Sequence, residues 1–282
     1  MDPDARLDHA PDQALAVALG RAPRRVVACS GGVDSLLLAD LAHEAAPDST
    51  LVVHSVTPAV PEAATDRVRR VADELGWSLR LVTSAEFDDD RYLANPVDRC
   101  YFCKSNLYDE IERVLTSTPD DFVVLSGANV DDLGEYRPGL VAAAEHRVRH
   151  PFVETGLGKA AIRAFADSRG RDWHDLPAAP CLASRLYTGT PVTPSLVRAV
   201  DRGENLLRSR LGVRVVRCRI KDTAVVVETA AEHQALLTRD LLDDVLAAMR
   251  EVAPRLDAIT ADAEPYRPGR AFVFLSKRRL DS

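Results

Sequence analysis

The sequence has no apolar run that approaches the roughly 20 residues needed to span a membrane. It also has no surplus of basic residues. The net charge of −7 and a pI near 5.5 count against bulk binding of nucleic acid. The first residues, Met1-Asp2-Pro3-Asp4, lack the cationic and apolar regions of a signal peptide. We therefore expect a cytoplasmic protein whose five cysteines are reduced unless they hold metal or do chemistry.

The first half of the chain alternates short apolar runs with helical patterns, and 282 residues suffice for two domains. The runs at 25–29, 51–55, 79–82 and 122–126 are strand candidates, and helical patterns lie at 36–46, 62–75 and 101–115. Strands that alternate with helices in this way predict an α/β fold with a parallel sheet.

The sequence pattern changes at Pro177, where prolines and glycines replace the alternation of apolar runs and helical patterns and indicate a loop-rich hinge. Beyond it, the patterns indicate a smaller α+β domain with a helix over 194–211, strands at 213–220 and 224–228, helices between 231 and 252, and an apolar strand at 271–275. The predicted organisation is a leading helix within residues 1–21, one domain over 22–180 and a second over 181–282.

The most informative motif is SGGVDS, which lies between the first strand candidate and the following helix. Gly31 and Gly32 allow the backbone to approach a phosphate closely. Ser30 and Ser35 add hydroxyl groups, and the helix start supplies free N–H groups and a positive dipole. No Gly-Lys-Ser/Thr ending follows, so this is not a Walker A loop. Asp34 suits Mg²⁺, and the alternative is that it orients the loop.

A second polar motif, GANVDD at 127–132, follows the fourth strand candidate. Ligands of parallel sheets bind at the carboxyl ends of the strands. Gly127, Asn129, Asp131 and Asp132 are therefore predicted to shape a nucleotide site, with Asp132 as a possible ligand of Mg²⁺. Glycine and Asx residues also form ordinary turns.

The cysteines divide into two groups. Cys29 and Cys218 lie inside apolar strand runs and are expected to be small buried hydrophobes. Cys100 and Cys103 form a C-x₂-C pair, and Cys181 follows later; all three are expected in loop-like contexts. Three thiolates suit a [4Fe–4S] cluster better than structural zinc, which prefers four ligands. A redox pair, or simple packing of the C-x₂-C pair at the start of a helix, stays open.

Five motifs together resemble one family. SGGVDS, NPVDRCYFCK (95–104), GANVDD (127–132), YRPG (136–139) and PCLASR (180–185) occur in this order. They are similar to the motifs of the LarE-type ATP-dependent sulfur transferases, which belong to the PP-loop ATP pyrophosphatases. The resemblance runs from about residue 24 to about residue 228. It implies a PP-loop domain of the adenine nucleotide α-hydrolase type.

The resemblance also implies a reaction. ATP would adenylate a carboxylate of pyridinium-3,5-biscarboxylic acid mononucleotide and release pyrophosphate, and sulfur would then displace AMP to give a thiocarboxylate. The product is a precursor of the nickel-pincer nucleotide cofactor. An acyl-adenylate has a good leaving group, whose charge the loop amides would stabilise. Relatives form trimers or hexamers, so a homo-oligomer is expected.

The source of sulfur divides the family into two types. In one type, a cysteine that matches Cys181 gives up its own sulfur and becomes dehydroalanine. In the other, three cysteines are thought to hold a [4Fe–4S] cluster that carries an extra sulfide. The chain has all three, Cys100, Cys103 and Cys181, which favours the cluster type; a sacrificial Cys181 stays open.

The resemblance assigns further residues to phosphate and metal. Ser184 and Arg185 would position pyrophosphate or the substrate phosphate, with a surface turn as the alternative. Arg217 and Arg219 alternate along a strand and so share one face. With Glu204 they match positions around substrate phosphate and metal, and the arginine fork suits phosphate. A solvated strand face is the alternative for the arginines.

The sequence departs from the LarE-type pattern at two places, and three alternative functions stay open. Leu36 replaces a small hydroxyl residue of many relatives, and the tail at 266–270 only loosely matches the family. A tRNA thiolase would need a basic RNA-binding surface, and amide-forming PP-loop ligases need no cysteine triad. A nucleotide- and cluster-binding sensor without turnover is the third alternative.

Overall fold

The computed structural model describes residues 10–115, 122–134, 137–178, 180–267 and 269–271. The chain forms two compact units. The first extends up to Glu86 and resumes from Cys100 to Ala179; the second contains Phe87–Arg99 and the chain from Pro180 onward. The segment Phe87–Arg99, which lies within the predicted first domain over 22–180, therefore belongs to the second unit.

The first unit is built on a four-stranded sheet in which every strand is parallel to its neighbours. The strands are β1 (Arg25–Ala28), β2 (Thr50–Ser55), β3 (Leu79–Val82) and β4 (Val123–Ser126). Their order is β3-β2-β1-β4. The predicted α/β fold with a parallel sheet is confirmed. Since β2 and β4 lie on opposite sides of β1, the topological switch point lies between β1 and β4, and the carboxyl ends of both strands border it.

Both faces of this sheet are buried. Val27 and Val52 belong to a core on one face, and their neighbours Val26 and Val53 belong to a core on the other. This division follows from the alternation of side chains along a strand. It also explains why the central strands contain uninterrupted apolar residues, Val26–Ala28 in β1 and 51–53 in β2, rather than an alternating pattern.

Seven helices of the described residues surround the sheet. They are α1 (Ala10–Gly20), α2 (Val33–Ala45), α3 (Glu62–Leu75), α5 (Arg99–Leu115), α6 (Pro138–Glu145), α7 (Pro151–Glu154) and α8 (Lys159–Ser168). α5 begins with the last residue of the second unit. No elements were predicted between β4 and Pro177, where the structure has the short helices α6, α7 and α8.

The second unit combines helices with a three-stranded sheet, which confirms the predicted α+β class. It contains α4 (Asp90–Leu93), α9 (Pro194–Leu211), α10 (Arg239–Arg250), β5 (Val216–Lys221), β6 (Ala224–Thr229) and β7 (Ala258–Ala261). β6 pairs with β5 in an antiparallel register and with β7 in a parallel register. α9 has the predicted bounds, since Thr193 caps its start and Gly212 ends it in the left-handed conformation.

Some predictions fall on residues outside the described part of the chain. These are residues 1–9, Tyr136 of the YRPG motif, Pro268 of the tail and the strand residues 272–275. β7 was not predicted, because its four residues have a single buried side chain and therefore carry no apolar pattern. Among the described residues, no helix combines the length and the apolar character that crossing a bilayer requires.

Candidate functional site

The loop that carries SGGVDS joins β1 to α2 and packs against α3. Gly31 has a φ of +80°, and a Cβ at this position would lie 2.9 Å from the carbonyl oxygen of Ala64. A residue with a side chain would therefore be both strained and obstructed. The Arg67 guanidinium donates a hydrogen bond to the Gly31 carbonyl oxygen over 2.8 Å. These contacts fix the path of the loop against α3.

The two serines of the loop have different surroundings. Ser35 is buried; its hydroxyl donates to the Gly32 carbonyl oxygen over 3.0 Å and accepts from the Ser30 N–H over 3.1 Å. The Ser30 hydroxyl lies 3.2 Å from the same Oγ, and because the Ser35 hydrogen is engaged by Gly32, Ser30 is the donor there. Ser35 thus shapes the loop, whereas Ser30 is the exposed member of the pair.

The start of α2 has an open N-cap. Gly32 occupies the N-cap position, and no side chain caps the helix. The first N–H groups of a helix have no partner within it, and the helix dipole places partial positive charge at this end. A 13-residue helix that begins directly after a glycine-rich loop is therefore a suitable anion site.

Asp34 and the GANVDD motif meet at the switch point between β1 and β4. The Asn129 side chain is fully buried; its Nδ2 donates to the Asp34 carboxylate over 2.9 Å, and its Oδ1 accepts from the Asp131 N–H over 3.0 Å. The Asp132 carboxylate accepts from the Asn129 N–H over 3.2 Å. Burial and the charge of Asp132 raise the pKa of Asp34, and the bond from Asn129 opposes this rise.

Two cations that the sequence analysis did not select face these carboxylates. The Asp132 carboxylate pairs with the Arg137 guanidinium at 2.9 Å and with the Lys159 ammonium at 3.1 Å. The Lys159 N–H also donates to the Asp131 carboxylate over 2.6 Å. No sequence motif around Lys159 indicates a role in the site. Lys159 lies at the start of α8, and the fold of the chain after β4 brings it to Asp132.

Gly127 is the point of closest backbone approach. A Cβ at this position would lie 2.9 Å from Asp34 C and 2.9 Å from Ser35 N. These are backbone atoms of the α2 start, so they have little freedom to yield. The absence of a side chain at Gly127 lets the end of β4 pack against the SGGVDS loop.

The C-x₂-C pair lies on a helix. Cys100 and Cys103 belong to the first turns of α5, and both are partly buried. The prediction that they lie in loop-like contexts is wrong, because the Arg99 N–H already bonds to the Pro96 carbonyl oxygen and the helix starts there. Residues three apart share a helix face, so the two thiols lie on the same side of α5.

The other cysteines fall into the predicted groups. Cys29 and Cys218 are buried, as expected for small hydrophobes, and burial raises the pKa of both thiols. Cys181 is partly buried and lies in the second unit, at the N-cap of a 3₁₀ turn over Leu182–Arg185. Its carbonyl oxygen accepts from the Ser184 N–H over 2.9 Å.

Arg185 holds the segment around Cys181 from within the second unit. Its Nη1 donates to the carbonyl oxygens of Pro180 and Cys181 over 2.7 and 3.2 Å, and to the Ser184 hydroxyl over 2.9 Å. Its Nε donates to the Glu204 carboxylate over 2.8 Å. Arg185 is 2% exposed, so the alternative of a surface turn does not describe it.

Glu204 lies at the centre of a group of arginines. Its side chain is 0% exposed, and its carboxylate contacts Arg185, Arg208 at 2.5 Å and Arg217 at 3.9 Å. Burial would raise the pKa of Glu204, but the arginine charges, Arg185 foremost, lower it below its ordinary value. Three guanidinium groups thus contact one buried carboxylate.

Arg217 and Arg219 lie side by side on β5, and both are 4% exposed. The alternative of a solvated strand face is therefore wrong for these two residues. Burial and the neighbouring Arg185 lower the pKa of Arg217. Arg219 pairs with the Glu228 carboxylate on β6 at 2.8 Å. The centres of both guanidinium groups lie near the Tyr266 ring, at 5.2 and 6.0 Å from its centroid.

The segment before α5 carries contacts that the sequence analysis did not assign. The Asn95 amide donates to the carbonyl oxygens of Tyr187 and Thr190, each over 2.8 Å. Arg99 donates to the Ala183 carbonyl oxygen over 3.0 Å. Both residues belong to the NPVDRCYFCK motif, whose first part thus braces the backbone next to Cys181 within the second unit.

Three similar proteins were found, although no family model matches the chain. The chain is 32% identical over 259 residues to an uncharacterised protein of Synechocystis sp., covering 92% of this chain and 95% of the relative. It is 28% identical over 273 residues to the pyridinium-3,5-bisthiocarboxylic acid mononucleotide synthase of Lactiplantibacillus plantarum, covering 94% of this chain and 95% of the synthase. An uncharacterised protein of Methanocaldococcus jannaschii is 29% identical over 187 residues, 65% of this chain and 69% of that protein.

Proposed function

We propose that the chain is an ATP-dependent sulfur transferase of the LarE type, and its 28% identity over 273 residues to a pyridinium-3,5-bisthiocarboxylic acid mononucleotide synthase supports this. It would activate a carboxylate of pyridinium-3,5-biscarboxylic acid mononucleotide with ATP, release pyrophosphate and form a thiocarboxylate. The observation that carries this proposal is the open N-terminus of α2 behind the SGGVDS loop, with Asp34 held by Asn129 beside it.

Positively charged and N–H groups of the first unit support the proposed activation of the carboxylate by ATP. The loop amides and the start of α2 would bind the phosphates of ATP and stabilise the charge that develops on the leaving pyrophosphate. The Lys159 ammonium and the Arg137 guanidinium, both next to Asp132, add positive charge at the same edge of the sheet. Ser30 is the exposed hydroxyl of the loop and would contact the phosphates, while Ser35 keeps the loop in shape.

Asp34 and Asp132 are the residues that we propose as ligands of Mg²⁺. Mg²⁺ in nucleotide sites is held by one or two carboxylates together with phosphate oxygens. The charge of Asp132 raises the pKa of Asp34, so a cation between the two carboxylates would relieve their repulsion. Glu204 suits this role less well, because Arg185, Arg208 and Arg217 already surround its carboxylate.

The arginine cluster of the second unit suits the phosphate of the mononucleotide. Arg185, Arg208 and Arg217 all contact Glu204, and a group of neighbouring guanidinium groups favours an anion of high charge. A phosphate monoester supplies that charge and accepts paired hydrogen bonds from guanidinium groups. We propose Arg217 and Arg219 as its ligands.

The sulfur would come from the cysteines. Cys100, Cys103 and Cys181 are partly buried, whereas Cys29 and Cys218 are buried. Three accessible thiols suit a [4Fe–4S] cluster with one open iron position, and such a cluster would supply the transferred sulfur when bound. The second possibility is that Cys181 donates its own sulfur, since its segment is braced by Arg185.

Pyrophosphate release tests the enzymatic proposal. The anaerobically prepared protein should release pyrophosphate from ATP only when the pyridinium dicarboxylate mononucleotide is present. A sensor without turnover would bind ATP and release none. Stimulation by tRNA instead of the mononucleotide would favour a thiolase and contradict our proposal.

Iron and acid-labile sulfide separate the two sulfur sources. A cluster predicts about four of each per chain, with loss in Cys100→Ala, Cys103→Ala and Cys181→Ala and retention in the Cys29→Ala control. A protein without iron that loses the Cys181 thiol in one turnover would contradict the cluster. Sedimentation of the same samples tests the proposed homo-oligomer.

A further inference from the structure

The amino ends of the parallel strands border a cavity at the edge of the sheet opposite the SGGVDS loop. Its volume is about 550 Å³, which lies within the range of sites that hold small organic ligands. The lining includes residues at the amino end of each strand: Arg24 before β1, Thr50 and Leu51 of β2, Ser78 before β3 and Phe122 before β4. Since the four residues of β1 span roughly 10 Å, this amino-edge cavity is separate from the site described above.

Basic side chains outnumber acidic ones in the lining of the amino-edge cavity. Arg24, Arg80 and His43 line it, and among the described lining residues Asp48 alone is acidic. Arg80 is exposed on β3, and no residue in the described part of the chain forms a hydrogen bond or an ion pair with its side chain. The centre of the Arg24 guanidinium lies 5.6 Å from the Phe122 ring centroid, within the range of cation–π attraction. The lining thus offers exposed cations beside an aromatic wall.

Two ring nitrogens of the lining residues lack hydrogen-bond partners among the residues that the structure describes. They are Nε1 of Trp77 and Nδ1 of His43. Trp77 is 7% exposed, and an indole N–H can only donate. Because a buried donor without an acceptor is costly, native proteins rarely keep one that no ligand or water satisfies. Trp77 therefore indicates a ligand that brings oxygen acceptors to this wall.

A buried arginine adds positive charge at the same edge of the sheet. Arg25 is the first residue of β1, pairs in register with Thr50 of the lining and is 3% exposed. Its Nε and Nη1 atoms have no hydrogen-bond partner within the described chain, and burial lowers its pKa. No described carboxylate pairs with it, so its charge adds to that of Arg24 and Arg80. Positive charge of this kind favours an anion at the amino edge.

We propose that the amino-edge cavity is a second ligand site and that it takes a mononucleotide. Arg80 and Arg24 would bind the phosphate, since guanidinium groups donate paired hydrogen bonds to phosphate oxygens. Leu51 and Phe122 would cover part of the planar base, and the volume far exceeds what a bare phosphate fills. The inference does not depend on the proposed function, because the cavity shares no residue with the SGGVDS loop or the GANVDD motif.

The test uses AMP as the probe and tryptophan fluorescence of the full-length protein as the readout. The chain has two tryptophans, Trp77 and Trp173, so Trp173→Phe makes Trp77 the single emitter. We expect AMP to change its emission with saturation, and Arg80→Glu in the same background to weaken AMP binding about tenfold. Arg255→Glu is the matched control and should stay within about twofold. It reverses the charge of another exposed arginine without a partner among the described residues, in the second unit.

Three results would overturn the inference. They are an emission of Trp77 that does not respond to AMP, equal effects of Arg80→Glu and Arg255→Glu, and a response lost in Asn129→Asp, which alters the ATP site instead. Inorganic phosphate that binds as tightly as AMP would contradict the role of the apolar walls. A parallel titration with the pyridinium dicarboxylate mononucleotide decides which of the two mononucleotides the cavity prefers. Should Trp173→Phe not fold, calorimetry with AMP compares Arg80→Glu and Arg255→Glu directly. Pyrophosphate release tests the proposed function separately from all of these results.

Discussion

The Asn129 amide, just after β4, donates a hydrogen bond to the Asp34 carboxylate, at the start of α2, over 2.9 Å. This bond joins the two loops that follow neighbouring strands of the parallel sheet. It therefore couples the GANVDD motif directly to the SGGVDS motif, at the place where an α/β fold binds its ligand.

Replacing this amide with a carboxylate should disrupt the site without changing its shape. Asn129→Asp exchanges the donor for a second negative charge beside Asp34, in a fully buried position. We expect the rate of pyrophosphate release to fall by about 100-fold, as the removal of an aligned polar group in an active site typically does. The Gln13→Glu variant, which changes an exposed amide of α1 into a carboxylate, is the control and should be close to wild type.

The close approach of Gly127 gives a second prediction. Gly127→Ala places a Cβ 2.9 Å from backbone atoms of Asp34 and Ser35, and such overpacking costs about 1–3 kcal/mol of unfolding free energy. ATP should also protect this variant less against thermal unfolding, because the loop is displaced. Gly134→Ala is the matched control, since nothing lies within 4 Å of the added Cβ. Equal behaviour of the two variants would contradict the proposed packing.

Asp34 should give the stability of the protein a pH dependence. Burial and the nearby Asp132 raise its pKa above the ordinary value of 3.8. The folded state therefore holds this proton more tightly than the unfolded state, and the free energy of unfolding falls as the pH rises from the ordinary to the raised pKa. Asp34→Asn should remove that fall, and Mg²⁺ should reduce it in the wild-type protein. Thermal melts over this pH range measure both effects, and a rise attributable to Asp34 would contradict the assignment.

The buried carboxylate of the arginine cluster should be essential for stability. Glu204→Gln leaves Arg185, Arg208 and Arg217 without their shared counter-charge. Breaking a buried ion pair by removing one partner costs about 3–5 kcal/mol, which denaturant unfolding of the second unit can detect. Glu251→Gln removes one carboxylate of an exposed pair with Arg202 and should cost less than about 1 kcal/mol.

The two groups of cysteines should differ in their reaction with iodoacetamide. Without bound iron, Cys100, Cys103 and Cys181 are partly buried and should be alkylated in the native protein. Cys29 and Cys218 should react only after unfolding, because they are buried and their thiol pKa values are raised. Mass spectrometry of digests identifies the modified positions. Native labelling of Cys218 would show that the second unit opens readily.

Local patterns were sufficient to predict the sheet and the glycine-rich turn after β1. The four strands of the first unit are short and mostly apolar, and the glycines of SGGVDS mark the turn that follows β1. The short helices α6 to α8 and the strand β7 were missed, because they depend on packing partners rather than on a strong periodicity. The C-x₂-C pair was placed in a loop because the helix start at Arg99 depends on a backbone bond to Pro96.

The sequence by itself determined the α/β class, the position of the glycine-rich loop after β1, the separation of buried from partly buried cysteines and the motifs that resemble the LarE family. These features follow from apolar spacing and from residue types that act locally. Only the tertiary structure decided that Lys159 and Arg137 face Asp132, that Glu204 is enclosed by arginines, and that Tyr266 lies against Arg217 and Arg219. Several of these contacts, such as Lys159 with Asp132 and Tyr266 with Arg217, join residues that are distant in sequence, so they exist only once the strands and helices have packed.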